Sequence, residues 1–365
     1  MPQTGRRPLN AARLTPTGPS YQRRSAVHVD IHQHVWPDAL VAELRRRSHP
    51  PRLDGWTLFT AGEPPYAVNP ADHDAGRRTR QAASDGIALA VIGLSSPIGI
   101  EYLPPGDAEP LLDAYHRGVA ALGPPFAGWA AACLTAIDAP GLARQLDRGF
   151  VGLQLPATAL ADESGYRRCG PLLDVLAERD LPLFIHPGPA AGVSAGGPAW
   201  WAPLVPYIQQ LHAAWFAFRA YGRPAYPRLR VCFTALAGLG PLHGERMAAR
   251  GGDGPLARGM VDPLMFVETS SYGCRAADSV VRVLGVDMLV FGSDRPYAEP
   301  RPDLGLGGAA RHAIRVTNPA RLLRGDHLAD DDQLPPADRD LTAHQEERSD
   351  RDDHFVAART VSRPA

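Results

Sequence analysis

The chain has 365 residues, 44% hydrophobic and 21% charged, with a formal net charge of -1. That size holds one large domain or two smaller ones, and the composition is that of a soluble globule. A net charge near zero offers no strong field for nucleic acid or an anionic membrane, and no stretch approaches the roughly 20 apolar residues of a membrane span.

In chain order, the first segment, residues 1–24, is rich in arginine, proline and serine. It cannot form a core and is expected to be disordered. It also lacks the apolar run of a secretory signal, so a cytoplasmic location is expected. The first strand candidate follows at once, in "VHVDIHQH" (27–34). Val27, Val29 and Ile31 share one parity, and His28, Asp30, His32 and His34 share the other. Side chains alternate along a strand, so this reads as one oily face and one imidazole-carboxylate face. Further apolar runs read as strands at "ALAVIGLS" (88–95), "GWAAACLT" (128–135), "FVGLQLP" (150–156), "LPLFIHP" (181–187), "LRVCFTAL" (229–236), "LMFVETS" (264–270) and "DMLVFGSD" (287–294).

Helical patterns fill the gaps. "PLLDVLAERD" and "PYIQQLHAAWFAFRAYG" begin with proline, and "PLHGERMAARGG" begins with proline and ends in glycine, as helices tend to start and stop. Ile208, Leu211, Trp215 and Phe218 recur at helical spacing and read as core. Eight such alternations predict a (β/α)8 TIM barrel over residues 25–325, ahead of an open doubly wound sheet, which would carry a glycine-rich turn after its first strand. Residues 326–365 are acidic and are expected to be a second disordered extension.

Two features of the composition exclude chemistry. The sequence contains no lysine; all 38 basic residues are arginines. A Walker-A phosphate loop, a pyridoxal Schiff base and a lysine-based aldolase each need that amine. Cys133, Cys169, Cys232 and Cys274 form no CxxC pair, so buried, reduced thiols are expected.

Active-site groups of a barrel sit at the C-terminal ends of its strands. Those ends carry His32 and His34, then His186, then Glu268 with Thr269 and Ser270, and finally Asp294. Three imidazoles and a carboxylate make a normal ligand set for zinc or a similar divalent ion with an open position for water.

"DIHQH", "LFIHPGP" and "LVFGSDRPY" resemble the amidohydrolase-related superfamily, and within it the branch of aminocarboxymuconate-semialdehyde decarboxylase. The resemblance spans about residues 25–325. It implies a metal-dependent hydrolase-type barrel in which His32, His34, His186 and Asp294 hold one metal ion. Two-metal relatives bridge their ions with a carboxylated lysine on strand four, where this chain has Gln154. One position departs from the family: a histidine is usual after strand six, and Ala235 stands there. His243, eight residues on, is a possible substitute or a surface histidine.

The resemblance also places Arg52 near where an arginine often holds a substrate carboxylate; the alternative, favoured by there being 38 arginines, is a solvated surface residue. Trp56, Trp200 and Trp201 line the pocket or pack loops onto the rim. Asp30 and Glu268 are placed behind the ligands; Asp30 orients an imidazole or caps a backbone amide. His28, deeper on the inward parity, reads as a hydrogen-bonded core histidine.

The leading expectation is a mononuclear zinc enzyme in which activated water hydrolyses a small amide, ester or lactone, with Asp294 as general base. The first alternative is non-oxidative decarboxylation of a small carboxylated compound. The second is a metal-binding barrel that has lost catalysis. The expected partner is a small-molecule substrate, with a homodimer left open and no nucleic acid or membrane.

Overall fold

A computed structural model describes residues 27–190, 197–251, 261–301 and 303–324. The two terminal segments expected to be disordered lie outside the described residues. Strand β1 (His28–Gln33) is followed by a small antiparallel sheet of β2 (Arg52–Asp54), β3 (Thr57–Phe59) and β4 (Tyr66–Ala67). The remaining strands are β5 (Ile87–Ile92), β6 (Phe126–Gly128), β7 (Leu153–Pro156), β8 (Leu183–His186), β9 (Val231–Phe233), β10 (Met265–Glu268) and β11 (Leu289–Val290).

Parallel pairing runs through β1-β5-β6 and through β7-β8-β9-β10-β11. A bridge between Ala130 and Leu153 joins the first run to the second, and one between Gln33 and Arg295 returns the last strand to β1. The sheet is therefore closed into an eight-stranded parallel barrel, the (β/α)8 architecture.

Helices cover its outside, several of them begun by aspartate. Asp138 accepts from the Gly141 amide at 2.8 Å to start the helix Ala139–Asp147, and Asp162 accepts from the Gly165 amide at 2.8 Å to start Glu163–Glu178. Each such cap contributes about 1 kcal/mol.

The barrel is filled, not hollow. Val29, Ile31, Val91, Trp129, Phe184, Cys232, Phe266 and Val290 form a buried layer inside it. Trp129 stacks on Phe184 with ring centroids 4.9 Å apart, and its indole N–H donates to the Ile31 carbonyl at 2.8 Å. A second, larger core lies between the strands and the helices.

That layer corrects the expectation for β1. Val29 and Ile31, not His28 and Asp30, line the interior. His28 is half-buried on the outer side, within electrostatic reach of Arg315, His312 and Arg311. Asp30 accepts from the amides of His32 (3.1 Å) and Ser293 (3.0 Å) and from the Gln33 side chain (2.7 Å). It caps backbone and touches no imidazole.

The physical reason is a bulge. Asp30 pairs with Ala90 but Gln33 with Ile92, so β1 advances three residues while β5 advances two. An extra residue reverses the alternation. The oily residues therefore face inward below it and the histidines face inward above it.

Two other expectations shift. The third strand ends at Gly128, where the expected run begins, and the alanines after it contribute a single bridge at Ala130. The thiols are all free, but only Cys169 and Cys232 are buried, and Cys274 is exposed.

Candidate metal centre

His32, His34, His186 and Asp294 converge at the C-terminal mouth of the barrel. One ligand atom from each lies within 4.8 Å of all the others. The three histidines are buried, and the Asp294 side chain is 22% exposed, which makes it the ligand that faces solvent.

Local backbone sets the geometry. Asp294 has a φ of 57°, a left-handed conformation that aspartate tolerates better than most residues. Its amide donates to the His32 carbonyl at 2.9 Å, and its carbonyl accepts from Tyr297 and Ala298 at 2.8 and 3.1 Å. This turn points the carboxylate back at the imidazoles, 3.2 Å from His34 Nε2 and 3.5 Å from His32 Nε2.

Each imidazole is oriented from behind. His32 Nδ1 faces Glu268 Oε2 at 3.1 Å, His34 Nδ1 faces the Gly93 carbonyl at 3.0 Å, and His186 Nδ1 faces the Pro187 carbonyl at 2.9 Å. An acceptor at Nδ1 assigns the proton to that nitrogen and leaves the Nε2 lone pair aimed inward. The Nε2 atoms of His32 and His34 stand only 3.1 Å apart. Two lone pairs at that distance repel unless a cation lies between them, so the donor set fits a divalent metal ion.

Electrostatics agree at two of the three imidazoles. Burial pushes His34 and His186 toward the neutral form that ligates metal. Burial acts the same way on His32, but the Asp294 and Glu268 carboxylates outweigh it and lift its pKa. Burial alone would raise Asp294; the surrounding imidazoles prevail and hold it below the usual carboxylate range.

Glu268 is fully occupied behind His32. It also accepts from the Ser270 amide, from Ser270 Oγ at 2.7 Å and from the Ala235 amide at 3.2 Å. Gly292 makes room for it, since a Cβ there would strike the carboxylate.

At the departure from the family pattern, residue 235 offers a backbone N–H and a methyl group. It opens a left-handed run in which Ala235, Leu236, Ala237, Gly238 and Leu239 have φ from 46° to 60°. Such a conformation costs about 1–2 kcal/mol for each non-glycine residue and is the kind of strain that collects at functional sites. His243 lies outside this turn, exposed, with its ring 4.9 Å from that of His212. On strand β7, Gln154 donates to the Leu94 carbonyl (2.5 Å) and Ser96 Oγ (2.8 Å) and brings no bridging ligand for a second metal.

The residues assigned to substrate are placed differently. The Arg52 guanidinium lies 4.0 Å over the Phe59 ring and 3.6 Å from Asp54, both in its own small sheet. Trp56 packs on the outer core beneath Arg45, and Trp200 is 56% exposed beside Trp201. Among the described residues, no hydrogen bond, ion pair or ring contact links these three to the four ligands. The sequence reading missed Tyr297, whose ring lies 5.2 Å from that of His34, and also Tyr207 and Glu63, which share a hydrogen bond. Only the three-residue step from Asp294 to Tyr297 could have signalled any of them.

The fold and this site define a (β/α)8 barrel with a candidate metal centre of three histidines and one aspartate. No protein-family model and no curated protein sequence matches the chain. Solved structures do. An apo IDCase of Metarhizium anisopliae shares 18% identity at a TM-score of 0.67, over 82% of this chain and 97% of that one. The 5-carboxyvanillate decarboxylase of Sphingomonas paucimobilis shares 17% at 0.63, over 82% and 99%. That of Novosphingobium aromaticivorans, complexed with manganese and 4-hydroxy-3-methoxy-5-nitrobenzoic acid, shares 19% at 0.63, over 82% and 97%. At 17–19% identity, this likeness shows a shared fold. Among the described residues, no helix is long and apolar enough to cross a membrane.

Proposed function

We propose that this protein is a metal-dependent, non-oxidative decarboxylase of a small carboxylated compound. One observation carries the proposal: three inward Nε2 lone pairs and one solvent-facing carboxylate meet at the mouth of a barrel whose structural neighbours include decarboxylases. The ligand set by itself serves hydrolysis equally well, so the reading favoured by the sequence becomes the second. Ala235 tells against neither, because in both readings Asp294 would handle the proton.

A divalent ion, zinc by the preference of three imidazoles and one carboxylate, would bind and polarise the substrate's carboxylate and adjacent oxygen. The protein's own part falls to Asp294. As a carboxylate it takes up a proton at its solvent-exposed edge and passes it to the carbon that bears the substrate's carboxylate. The C–C bond then breaks, its electron pair returns to the unsaturated system, and carbon dioxide leaves. Asp294 ends the cycle as the carboxylate it was at the start. Glu268 and the two backbone carbonyls keep the buried histidines in one tautomer.

Product analysis tests the reading. Incubation of the metal-loaded protein with a panel of hydroxylated benzoates and unsaturated acids is expected to release carbon dioxide and leave the parent compound. A new acid paired with an alcohol or amine, from an ester or amide panel and with no carbon dioxide released, would move hydrolysis ahead.

A further inference from the structure

The small sheet after β1 does more than decorate the barrel. Its loop, residues 60–65, crosses the mouth. On one side, Gly62 meets the segment after β8, where a Cβ would strike the Ala190 carbonyl oxygen. On that side also, the Tyr207 hydroxyl donates to Glu63 Oε1. Tyr207 stands at the start of the helix Pro206–Ala217 that follows β8. On the other side, the Tyr66 ring lies 6.4 Å from Tyr297, which is itself 5.2 Å from His34. The loop thus ties the β8 side of the mouth to the β11 side and roofs the metal centre.

One charge sits in this roof. Glu63 is half-buried, and its Oε2 has no hydrogen-bond partner among the described residues. Burial pushes the Glu63 carboxyl up, and the Tyr207 hydrogen bond works against that shift. Burial, then Glu63, then Tyr297 and Asp294 push the Tyr207 phenol up, which sets Tyr207 within electrostatic reach of the Asp294 carboxylate.

Among the described residues, Arg78, Arg295 and Arg52 are each committed elsewhere. Arg78 donates to the backbone oxygens of His34 and Asp72, Arg295 pairs with Asp85 and Glu299, and Arg52 is held in its own sheet.

We propose that Glu63, held by Tyr207, selects substrates that carry a hydrogen-bond donor, a hydroxyl or amino group, on the side away from the metal, and rejects those with a second carboxylate there. The proposal rests on the decarboxylase reading for the first carboxylate. A free carboxylate oxygen accepts from an O–H or N–H and repels a like charge across a low-dielectric mouth. Glu63 is on this account a specificity residue, and Tyr207 positions it.

Matched benzoates test it. Calorimetric titration of the metal-loaded full chain with 3- and 4-substituted benzoates bearing aminomethyl, hydroxyl, methyl or carboxylate groups gives a preference ratio. The donor-bearing acids are expected to bind at least about tenfold more tightly than the dicarboxylates, the size of one charge-assisted hydrogen bond. Glu63→Gln keeps an acceptor for Tyr207 but removes the charge, and should shrink the ratio by strengthening dicarboxylate binding. A wild-type preference for dicarboxylates, or a ratio that Glu63→Gln leaves unchanged, overturns the proposal. Carbon dioxide release, followed in the same samples, separates the two claims. A Glu63-dependent ratio without release supports the selectivity and sinks decarboxylation. Release with a ratio indifferent to Glu63 does the opposite.

Discussion

Replacing Asp294 with asparagine is expected to abolish turnover while leaving part of the metal binding intact. Asp294 is the ligand with a solvent edge, and it lies 3.2 Å from His34 Nε2 in a turn that fixes its direction. An amide of the same shape keeps one oxygen for the metal and cannot carry the proton. Loss of one well-placed acid-base group lowers a rate by about 10²–10⁴. The measurement is the rate of the metal-saturated variant, so that weaker binding does not masquerade as lost chemistry. Near-normal activity in Asp294→Asn, together with a dead His243→Ala, would move the proton-handling role to a histidine that the structure places on the surface.

His186→Ala is expected to have the second large effect, on the metal itself. It removes one of three inward lone pairs and leaves a three-ligand site open to solvent. Loss of a group that merely orients a ligand typically weakens metal binding by about 10–100-fold, so loss of a ligand should exceed about 100-fold. Chelator competition reads this directly. Thermal unfolding gives a second readout, because a ligand at 100 times its Kd stabilises the folded state by about 2.7 kcal/mol. Added metal should therefore raise the Tm of the wild-type protein and leave that of the variant nearly unchanged.

The parts of this site that were legible in the sequence share a cause. His32, His34, His186 and Asp294 each end an apolar run, and a parallel barrel brings all such ends to one face. Long apolar runs also disclosed the barrel, because strands covered on both faces must be oily throughout.

The illegible parts have causes as well. The small sheet consists of strands two or three residues long, too short for any period to register. The faces of β1 were misassigned because a bulge reverses alternation at a single residue, and alternation alone cannot reveal a bulge. The Arg52 guanidinium meets Phe59 across its hairpin, a contact that no sequence period signals. Glu63 and Tyr207 are 144 residues apart and meet only because the hairpin folds over the mouth.

Elemental analysis of the gently purified full chain tests most directly whether His32, His34, His186 and Asp294 hold a single metal ion. The geometry predicts one divalent ion per chain, lost in His186→Ala and retained in His243→Ala. No metal in the wild-type protein, two ions per chain, or full occupancy in His186→Ala would contradict it.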